Sequence, residues 1–163
     1  MTSRRPIQIA VVGAAECDRS IATLAEETGR LIAEAGAVLI TGGRGGVMEA
    51  ASRGARSCGG IAVGILPGPD DGQANPYLSV LLPTDLGIAR NALVVRAASA
   101  VIAIAGGFGT LSEIAMALKE GIPVVALRTW QARSPAGQEL PVYPAASAGE
   151  AVALALRLSQ PAG

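Results

Sequence analysis

The sequence predicts an α/β protein with three layers, in which a mostly parallel sheet of about six or seven strands carries helices on both faces. Short continuous runs of Val, Ile, Leu and Ala alternate along the chain with longer amphipathic stretches, as expected for strands that are buried on both faces and joined by helices. Glycine-rich turns follow several of these runs. A chain of 163 residues is long enough for one sizeable core and short for two, so residues 1–163 are expected to form a single domain.

The first half of the chain is predicted to contain four strands and two helices. Asp18 or Ser20 suits the start of the first helix and Gly36 suits its end, because such residues favour helix caps. A stretch rich in Pro, Gly, Asp and Asn, PGPDDGQANPY at 67–77, predicts a long loop. The strands are expected at 7–12, 38–41, 61–66 and 80–82, and the helices at 20–35 and 47–56.

The second half is predicted to continue the alternation. Two strands and three helices are expected, with a loop at 131–144 that holds one short strand at Val142. Ser147 is a candidate cap for the last helix, and Pro161 would stop it. The strands are expected at 100–105 and 124–127, and the helices at 87–98, 111–120 and 147–158.

Composition excludes several classes of function. The chain has no histidine, which removes histidine triads and histidine metal ligands. Its two cysteines, Cys17 and Cys58, form no CxxC motif, so no metal site is predicted and a reduced, cytoplasmic protein is expected. Lys and Arg balance Asp and Glu at 13 each, which disfavours nucleic-acid binding. The apolar run near the start is too short for a signal peptide or a membrane span.

Two glycine turns share one design, in which a strand is followed by Gly-Gly-x-Gly and then by a helix. They are TGGRGGVMEAA at 41–51 and AGGFGTLSEIA at 105–115. Free N–H groups and the dipole of the following helix favour an anion, usually a phosphate. With a third turn at 13–18, they are expected at one edge of the sheet, where ligands bind parallel α/β folds. The candidate binding residues here are Gly42, Gly43, Gly45, Gly46, Gly106, Gly107, Gly109 and Thr110.

The sequence is consistent with two roles for Glu113. Thr110 to Glu113 fits the capping-box pattern S/T-x-x-E, in which the glutamate accepts from the N–H of the cap residue. The same carboxylate would lie at the helix mouth beside a ligand, where it is able to do chemistry. Both readings remain open on the residues alone.

The ordered set of motifs resembles a known superfamily. AGGFGTLSEIA is similar to the PGGxGTxxE motif of the Lonely Guy phosphoribohydrolases, once described as lysine decarboxylases. The match is closer to the molybdenum cofactor carrier proteins of the same superfamily, on the residues TGGRGGVMEAA at 41–51, GILPG at 64–68, Ala-Asn-Pro at 74–76 and ARN at 89–91. This resemblance implies a Rossmann-like fold and a homodimer or a higher assembly.

The resemblance also implies site residues. Arg90 and Glu113 match the motif Arg and Glu that serve cleavage of nucleoside monophosphates in the enzymes, so they are the candidate catalytic pair if this chain is an enzyme. Asn91 stands where the enzymes have Lys, and Ala105 where they have Pro. The lost cation favours binding without turnover, with Arg90, Asn91 and Glu113 among the ligand-binding residues.

The first expectation is therefore a carrier-like protein that binds a phosphorylated nucleotide or pterin ligand, either molybdenum cofactor or a nucleoside monophosphate, with molybdoenzymes as possible partners. The alternative is a phosphoribohydrolase that cleaves a nucleoside 5′-monophosphate to base and ribose 5-phosphate. A second alternative, single-stranded DNA binding, is disfavoured by neutral charge and scarce aromatic residues. The expected dimer interface includes the 87–98 helix, whose Leu93 and Val94 would otherwise be partly exposed.

Four further polar or charged residues are expected near the predicted turns and the long loop. Arg44 either reaches a phosphate or points to solvent. Cys17 is expected to be a small half-buried residue, although a helix N-terminus is able to lower the pKa of a thiol. Asp70 and Asp71 are expected to be solvated loop acids.

Overall fold

The computed structural model describes residues 5–160. Within this range the chain forms seven strands, five α-helices and one short 3₁₀ helix. The strands are β1 (Gln8–Gly13), β2 (Val38–Thr41), β3 (Ala62–Leu66), β4 (Val80–Pro83), β5 (Ala100–Ile104), β6 (Val124–Leu127) and β7 (Tyr143–Pro144). The helices are α1 (Arg19–Glu34), α2 (Val47–Ser57), α3 (Asn91–Arg96), α4 (Phe108–Lys119) and α5 (Ala148–Leu158), with the 3₁₀ helix at Gly87–Arg90.

The seven strands form one sheet in the order β4-β3-β2-β1-β5-β6-β7, and every pairing is parallel. Because the strands are parallel, all of them end at the same edge of the sheet. The chain moves outward from β1 to β4 and then returns to the other side of β1 at β5, so the topological switch point lies between β1 and β5. The predicted parallel three-layer fold is confirmed.

Alternate residues of the central strands pack against two different helix layers. Ile9 and Val11 of β1 contribute to one buried cluster, together with residues of α1, α2 and α5. Ala10 and Val12 contribute to the opposite cluster, together with residues of α3 and α4. The period-two alternation of a strand thus gives the sheet two apolar faces, and the fold is a three-layer Rossmann-like sandwich.

Two helix starts follow the expected chemistry. The Asp18 carboxylate accepts a hydrogen bond from the backbone N–H of Ile21 at 2.9 Å, which caps α1. The Ser147 hydroxyl accepts from the N–H of Glu150 at 3.2 Å, which caps α5. The predicted stop at Pro161 lies outside the described residues.

Three predicted segments differ from the structure. The helix expected at 87–98 begins as a 3₁₀ turn and becomes α-helical only at Asn91. Helix α4 begins at Phe108, three residues before the predicted start. In the 131–144 loop, the short strand expected at Val142 forms one residue later, at Tyr143–Pro144.

The expected exposure of α3 is only partly right. Val94 is fully buried in the core of its own chain, so the prediction that it is partly exposed is wrong. Leu93 is 41% exposed and Ile88, in the preceding 3₁₀ turn, is 76% exposed. Within residues 5–160, no helix combines the length and the apolar character needed to cross a bilayer.

Candidate functional site

A cleft of about 690 Å³ lies at the edge of the sheet where β1, β2 and β5 end. The three turns predicted to converge, after Gly13, Thr41 and Ile104, all contribute residues to it. Its lining residues are Gly13, Ala14, Ala15, Glu16, Arg44, Met48, Pro67, Gln73, Gly87, Ile88, Arg90, Asn91, Gly107, Gly109, Thr110 and Glu113.

Arg90 is the buried cation of this cleft, with 7% of its surface exposed. One terminal nitrogen donates to the Gly42 carbonyl at 3.2 Å, and the other donates to Asn91 Oδ1. Its Nε is buried and has no hydrogen-bond partner among residues 5–160. Burial lowers the pKa of Arg90, while nearby Glu113 opposes that effect and Arg44 adds to it. An unpartnered buried donor is costly, so a ligand acceptor at this position would be favourable.

Gly42 is required for this placement of Arg90. A Cβ atom at residue 42 would lie 2.8 Å from an Arg90 terminal nitrogen and 2.8 Å from the Met48 sulfur. The glycine therefore admits the guanidinium between the first glycine turn and α2.

Glu113 does not belong to a capping box. The N-cap of α4 is Gly107, which places Thr110 and Glu113 inside the helix as its third and sixth residues. The capping-box interpretation is therefore wrong, because it assumed that the helix begins after Thr110. Glu113 is instead buried, with 7% of its surface exposed, and it lines the cleft.

Burial raises the pKa of Glu113 to about 7, and the positive charge of Arg90 only partly opposes this rise. Among the ion pairs of residues 5–160, none joins Arg90 to Glu113. Desolvation thus dominates both groups, because it lowers the pKa of the base and raises that of the acid. A carboxyl group with this pKa exchanges a proton near neutral pH.

Asn91, the residue that replaces Lys in the resemblance, is the neutral partner of Arg90. It is 6% exposed, and its side-chain oxygen accepts from Arg90. Asn91 in place of Lys therefore gives the guanidinium of Arg90 a hydrogen-bond acceptor, whereas a second cation at this position would repel it.

The two glycine turns approach the cleft differently. Gly107, Gly109 and Thr110 line it directly, whereas the first turn contributes the exposed Arg44. The remaining candidate glycines belong to the same two turns but are not among the residues that line the cleft, namely Gly42, Gly43, Gly45, Gly46 and Gly106. In the part of the chain that the structure describes, a Cβ at Gly107 or Gly109 would meet no atom within 4 Å beyond its chain neighbours, so both positions leave open space at the N-terminus of α4.

Comparison with known proteins places this arrangement in a family. A family profile described as "SLOG cluster4 family" matches residues 6–152. The chain belongs to the SLOG cluster4 family. The resemblance to the molybdenum cofactor carrier group within the Lonely Guy superfamily is confirmed.

Solved structures of relatives agree with this assignment. The chain is similar to the molybdenum cofactor binding protein of Rippkaea orientalis, with 35% identity over 98% of this chain and 100% of that one and a TM-score of 0.84. It is also similar to the Moco carrier protein of Chlamydomonas reinhardtii, with 35% identity, 94% and 98% coverage and a TM-score of 0.81. An uncharacterised protein of Archaeoglobus fulgidus is 50% identical over 122 residues, which is 75% of this chain and 80% of that protein.

Other residues of this SLOG cluster4 chain refine the predicted site. Burial, followed by the charge of Asp18, raises the pKa of Cys17, so the helix terminus does not activate that thiol. Asp70 and Asp71 are exposed, as expected. Met48 packs at the helix start but also lines the cleft.

Gln73 and Ile88 also line the cleft of this SLOG cluster4 chain, although no motif in the sequence marks them. Both lie in segments that follow the outer strands β3 and β4. Their position after the ends of strands is the feature that indicates them, because the segments that follow parallel strands all lie at the same edge of the sheet. Among residues 5–160, no group of three or more His, Cys, Asp or Glu side chains is arranged to hold a metal ion.

Proposed function

We propose that this protein binds a phosphorylated nucleotide-like or pterin ligand in the cleft and acts as a carrier of molybdenum cofactor. The observation that carries the proposal is the buried Arg90, which lines the cleft together with residues of both glycine turns and whose Nε has no hydrogen-bond partner among residues 5–160. The relatives from Rippkaea orientalis and Chlamydomonas reinhardtii, described as a molybdenum cofactor binding protein and a Moco carrier protein, support the choice of ligand.

The residues of the cleft fit the anionic end of such a ligand. Gly107 and Gly109 at the N-terminus of α4 line the cleft, where the first N–H groups of a helix have no partner inside the helix. Helix N-termini attract phosphate through these donors and through the helix dipole. Arg90 supplies the fixed positive charge, and Arg44 supplies an exposed one at the mouth of the cleft.

Glu113 decides how an anion is accepted. A carboxylate beside a bound phosphate would repel it, whereas the neutral acid does not repel and is able to donate a hydrogen bond. Because the pKa of Glu113 is raised to about 7, protonation near neutral pH is inexpensive. The molybdenum cofactor would bring a phosphate group and an oxyanion of molybdenum, and the chain's own role is to bind and shield them.

The alternative function, hydrolysis of a nucleoside 5′-monophosphate, is favoured by the same carboxyl group. A buried acid with a pKa of about 7 in a cleft is typical of general acid–base catalysts. In that case ionised Glu113 would stabilise positive charge on the ribose or orient water, and Arg90 would hold the phosphate. Asn91 weighs against this function because it replaces a cation of the enzyme motif.

One set of measurements separates the two functions. The protein is purified from its source under mild conditions, denatured, and the released small molecules are identified by mass spectrometry. In parallel, the release of adenine from AMP is measured for the wild type and for Glu113→Gln. We expect a bound phosphorylated pterin and little adenine release. Brisk release that Glu113→Gln abolishes would instead make the protein an enzyme, and failure of the wild type to bind phosphate, AMP or a pterin phosphate would overturn both functions.

We further propose that the carrier works as a homodimer or larger homo-oligomer in the cytoplasm and delivers its ligand to molybdoenzymes. The exposed apolar side chains of Ile88 and Leu93, adjacent to the cleft, support self-association. Analytical ultracentrifugation at micromolar concentration tests this proposal, and a monomer at that concentration would contradict it.

A further inference from the structure

The first glycine turn is held from its outer side by Asn75. The Asn75 side-chain amide donates to the Gly43 carbonyl at 3.2 Å and to the Arg44 carbonyl at 3.0 Å. The backbone N–H of Asn75 adds a third bond to the Gly43 carbonyl at 2.9 Å. Its side-chain oxygen accepts from the N–H of Tyr77 at 3.0 Å, which fixes the orientation of the amide. Asn75 is 6% exposed and belongs to the loop that follows β3.

The second glycine turn is held in the same way by the segment that follows β6. The Thr129 hydroxyl donates to the Ala105 carbonyl at 2.6 Å. The Trp130 indole N–H donates to the Gly107 carbonyl at 3.0 Å. The Trp130 ring also packs against Phe108, with ring centroids 5.7 Å apart.

These bonds determine the direction of the turn N–H groups. In a trans peptide the carbonyl of one residue and the N–H of the next point to opposite sides. Carbonyls tied outward at Gly43 and Arg44 therefore direct the N–H groups of Arg44 and Gly45 away from Asn75. In the described part of the chain, neither N–H has a hydrogen-bond acceptor.

The same geometry applies at the second turn. The carbonyl of Ala105, tied to Thr129, directs the N–H of Gly106 to the opposite side. The carbonyl of Gly107 accepts from Trp130 and also from the N–H of Leu111 at 3.1 Å, and together these bonds direct the N–H of Phe108. Within residues 5–160, the N–H of Gly106 also has no acceptor.

We propose that Asn75, Thr129 and Trp130 are positioning residues of the anion site. They touch no ligand themselves, but they hold the carbonyls of both glycine turns outward so that the freed N–H groups face the anion. This inference rests on the proposed function, because it assumes that an anion binds at the turns. A pre-oriented donor pays no reorganisation cost on binding, which is why removing an orienting bond weakens the site.

The test uses variants that remove the polar group of one positioning side chain and keep its approximate size and its charge. Thr129→Val removes the hydroxyl, Trp130→Phe keeps an aromatic ring beside Phe108, and Asn75→Leu replaces the amide by a side chain of similar size. Thr129→Ser restores a hydroxyl donor at the same position. Thr28→Val is the matched control, because it removes a hydroxyl-to-carbonyl bond of 2.7 Å inside α1, away from the cleft.

Three quantities are measured for each variant: the melting temperature, the dissociation constant for inorganic phosphate at one fixed pH, and the ¹⁵N relaxation of the turn amides without ligand. We expect each positioning variant to weaken phosphate binding on the order of tenfold. The melting temperatures of Thr129→Val and Trp130→Phe should change about as much as that of Thr28→Val, whereas Asn75→Leu should lower it further because it removes three side-chain hydrogen bonds. Amide order should fall at Gly106 in Thr129→Val and at Gly45 in Asn75→Leu. Thr129→Ser should retain the affinity of the wild type.

Phosphate affinities equal to that of the wild type in Thr129→Val, Trp130→Phe and Asn75→Leu would overturn the proposal even though the anion site itself stands. A wild type that binds no phosphate would overturn the proposed function instead. In that case the relaxation data still test whether the three residues orient the turns. Unchanged order of the Gly45 and Gly106 amides in the variants would contradict an orienting role.

Discussion

Replacing Glu113 by Gln is expected to stabilise the protein at pH 8 and to change its stability little at pH 5. The carboxyl group is buried in the cleft, and burial raises its pKa from 4.5 to about 7 despite the nearby charge of Arg90. The folded state therefore prefers the neutral acid, for which the amide of Gln is a close substitute in size and polarity.

The sign and the magnitude follow from proton linkage. Between pH 4.5 and about 7 the folded state keeps the proton that the unfolded state releases, so the free energy of unfolding falls as the pH rises through this interval. A shift of one pKa unit corresponds to about 1.36 kcal/mol, so the rise to about 7 makes wild-type Glu113 cost roughly 3 kcal/mol at pH 8. Gln carries no such cost because it does not ionise.

The measurement is chemical unfolding by urea at pH 5 and at pH 8, for the wild type and Glu113→Gln. Glu27→Gln serves as the matched control, because Glu27 is an exposed glutamate on α1 and such surface substitutions change stability by less than about 0.5 kcal/mol. The difference between Glu113→Gln and the wild type should grow by roughly 2–3 kcal/mol from pH 5 to pH 8. A difference that is the same at both pH values, or a variant that is less stable at pH 8, would refute the reasoning and indicate that ionised Glu113 stabilises the fold.

Three other predictions follow from the cleft. Sulfate, which does not titrate in this range, should bind about tenfold more tightly at pH 6 than at pH 8. The reason is that sulfate binds the form with neutral Glu113, whose pKa is about 7. Calorimetry should show a clearly weaker pH dependence of sulfate binding in Glu113→Gln. Gly46→Ala should cost roughly 3 kcal/mol or more, because residue 46 has φ 63° and ψ −127° and a Cβ there would lie 2.3 Å from the Ala14 carbonyl oxygen. Gly36→Ala, at φ 73° with open space around it, should cost only about 1–2 kcal/mol in urea unfolding. Asn91→Lys should lower the free energy of unfolding by roughly 3–5 kcal/mol, because it buries a second cation beside Arg90. A melting temperature equal to that of the wild type would contradict this prediction.

The parallel sheet and the place of the cleft could be predicted because they depend on apolar runs and glycine turns that are visible in the sequence. Continuous apolar runs mark the central strands, and their parallel arrangement brings the turns after Gly13, Thr41 and Ile104 to one edge. The start of α4 could not be predicted in the same way. Gly-Phe-Gly resembles a loop by propensity, and its helical conformation from Phe108 onward is held by tertiary bonds, including the one from Trp130 to the Gly107 carbonyl.

The wrong start predicted for α4 is the reason that the capping-box interpretation of Glu113 is wrong. Moving the helix start by three residues changes the glutamate from a cap partner in the first turn to a buried residue of the second turn. The S/T-x-x-E pattern is short enough to occur by coincidence wherever a helix is rich in Thr and Glu near its start. Only the position of the N-cap, which the sequence leaves ambiguous, distinguishes the two roles.

The pairing of Arg90 with Asn91 bears most directly on the choice between carrier and enzyme. A lysine at residue 91 would place a second cationic donor beside Arg90, where the acceptor oxygen of Asn91 now lies. The enzyme motif therefore requires another anion, either a carboxylate or the ligand, to hold both cations in place. With Asn91, the guanidinium is fixed by a neutral acceptor and by the Gly42 carbonyl before any ligand arrives. Glu113 is then free to be protonated, because its charge is not needed to hold Arg90. A site with one pre-oriented cation and an acid that is easily protonated suits binding of a phosphate. Because the pKa of Glu113 is about 7, the ionised carboxylate that cleavage of a glycosidic bond requires is present in only about half of the molecules at neutral pH.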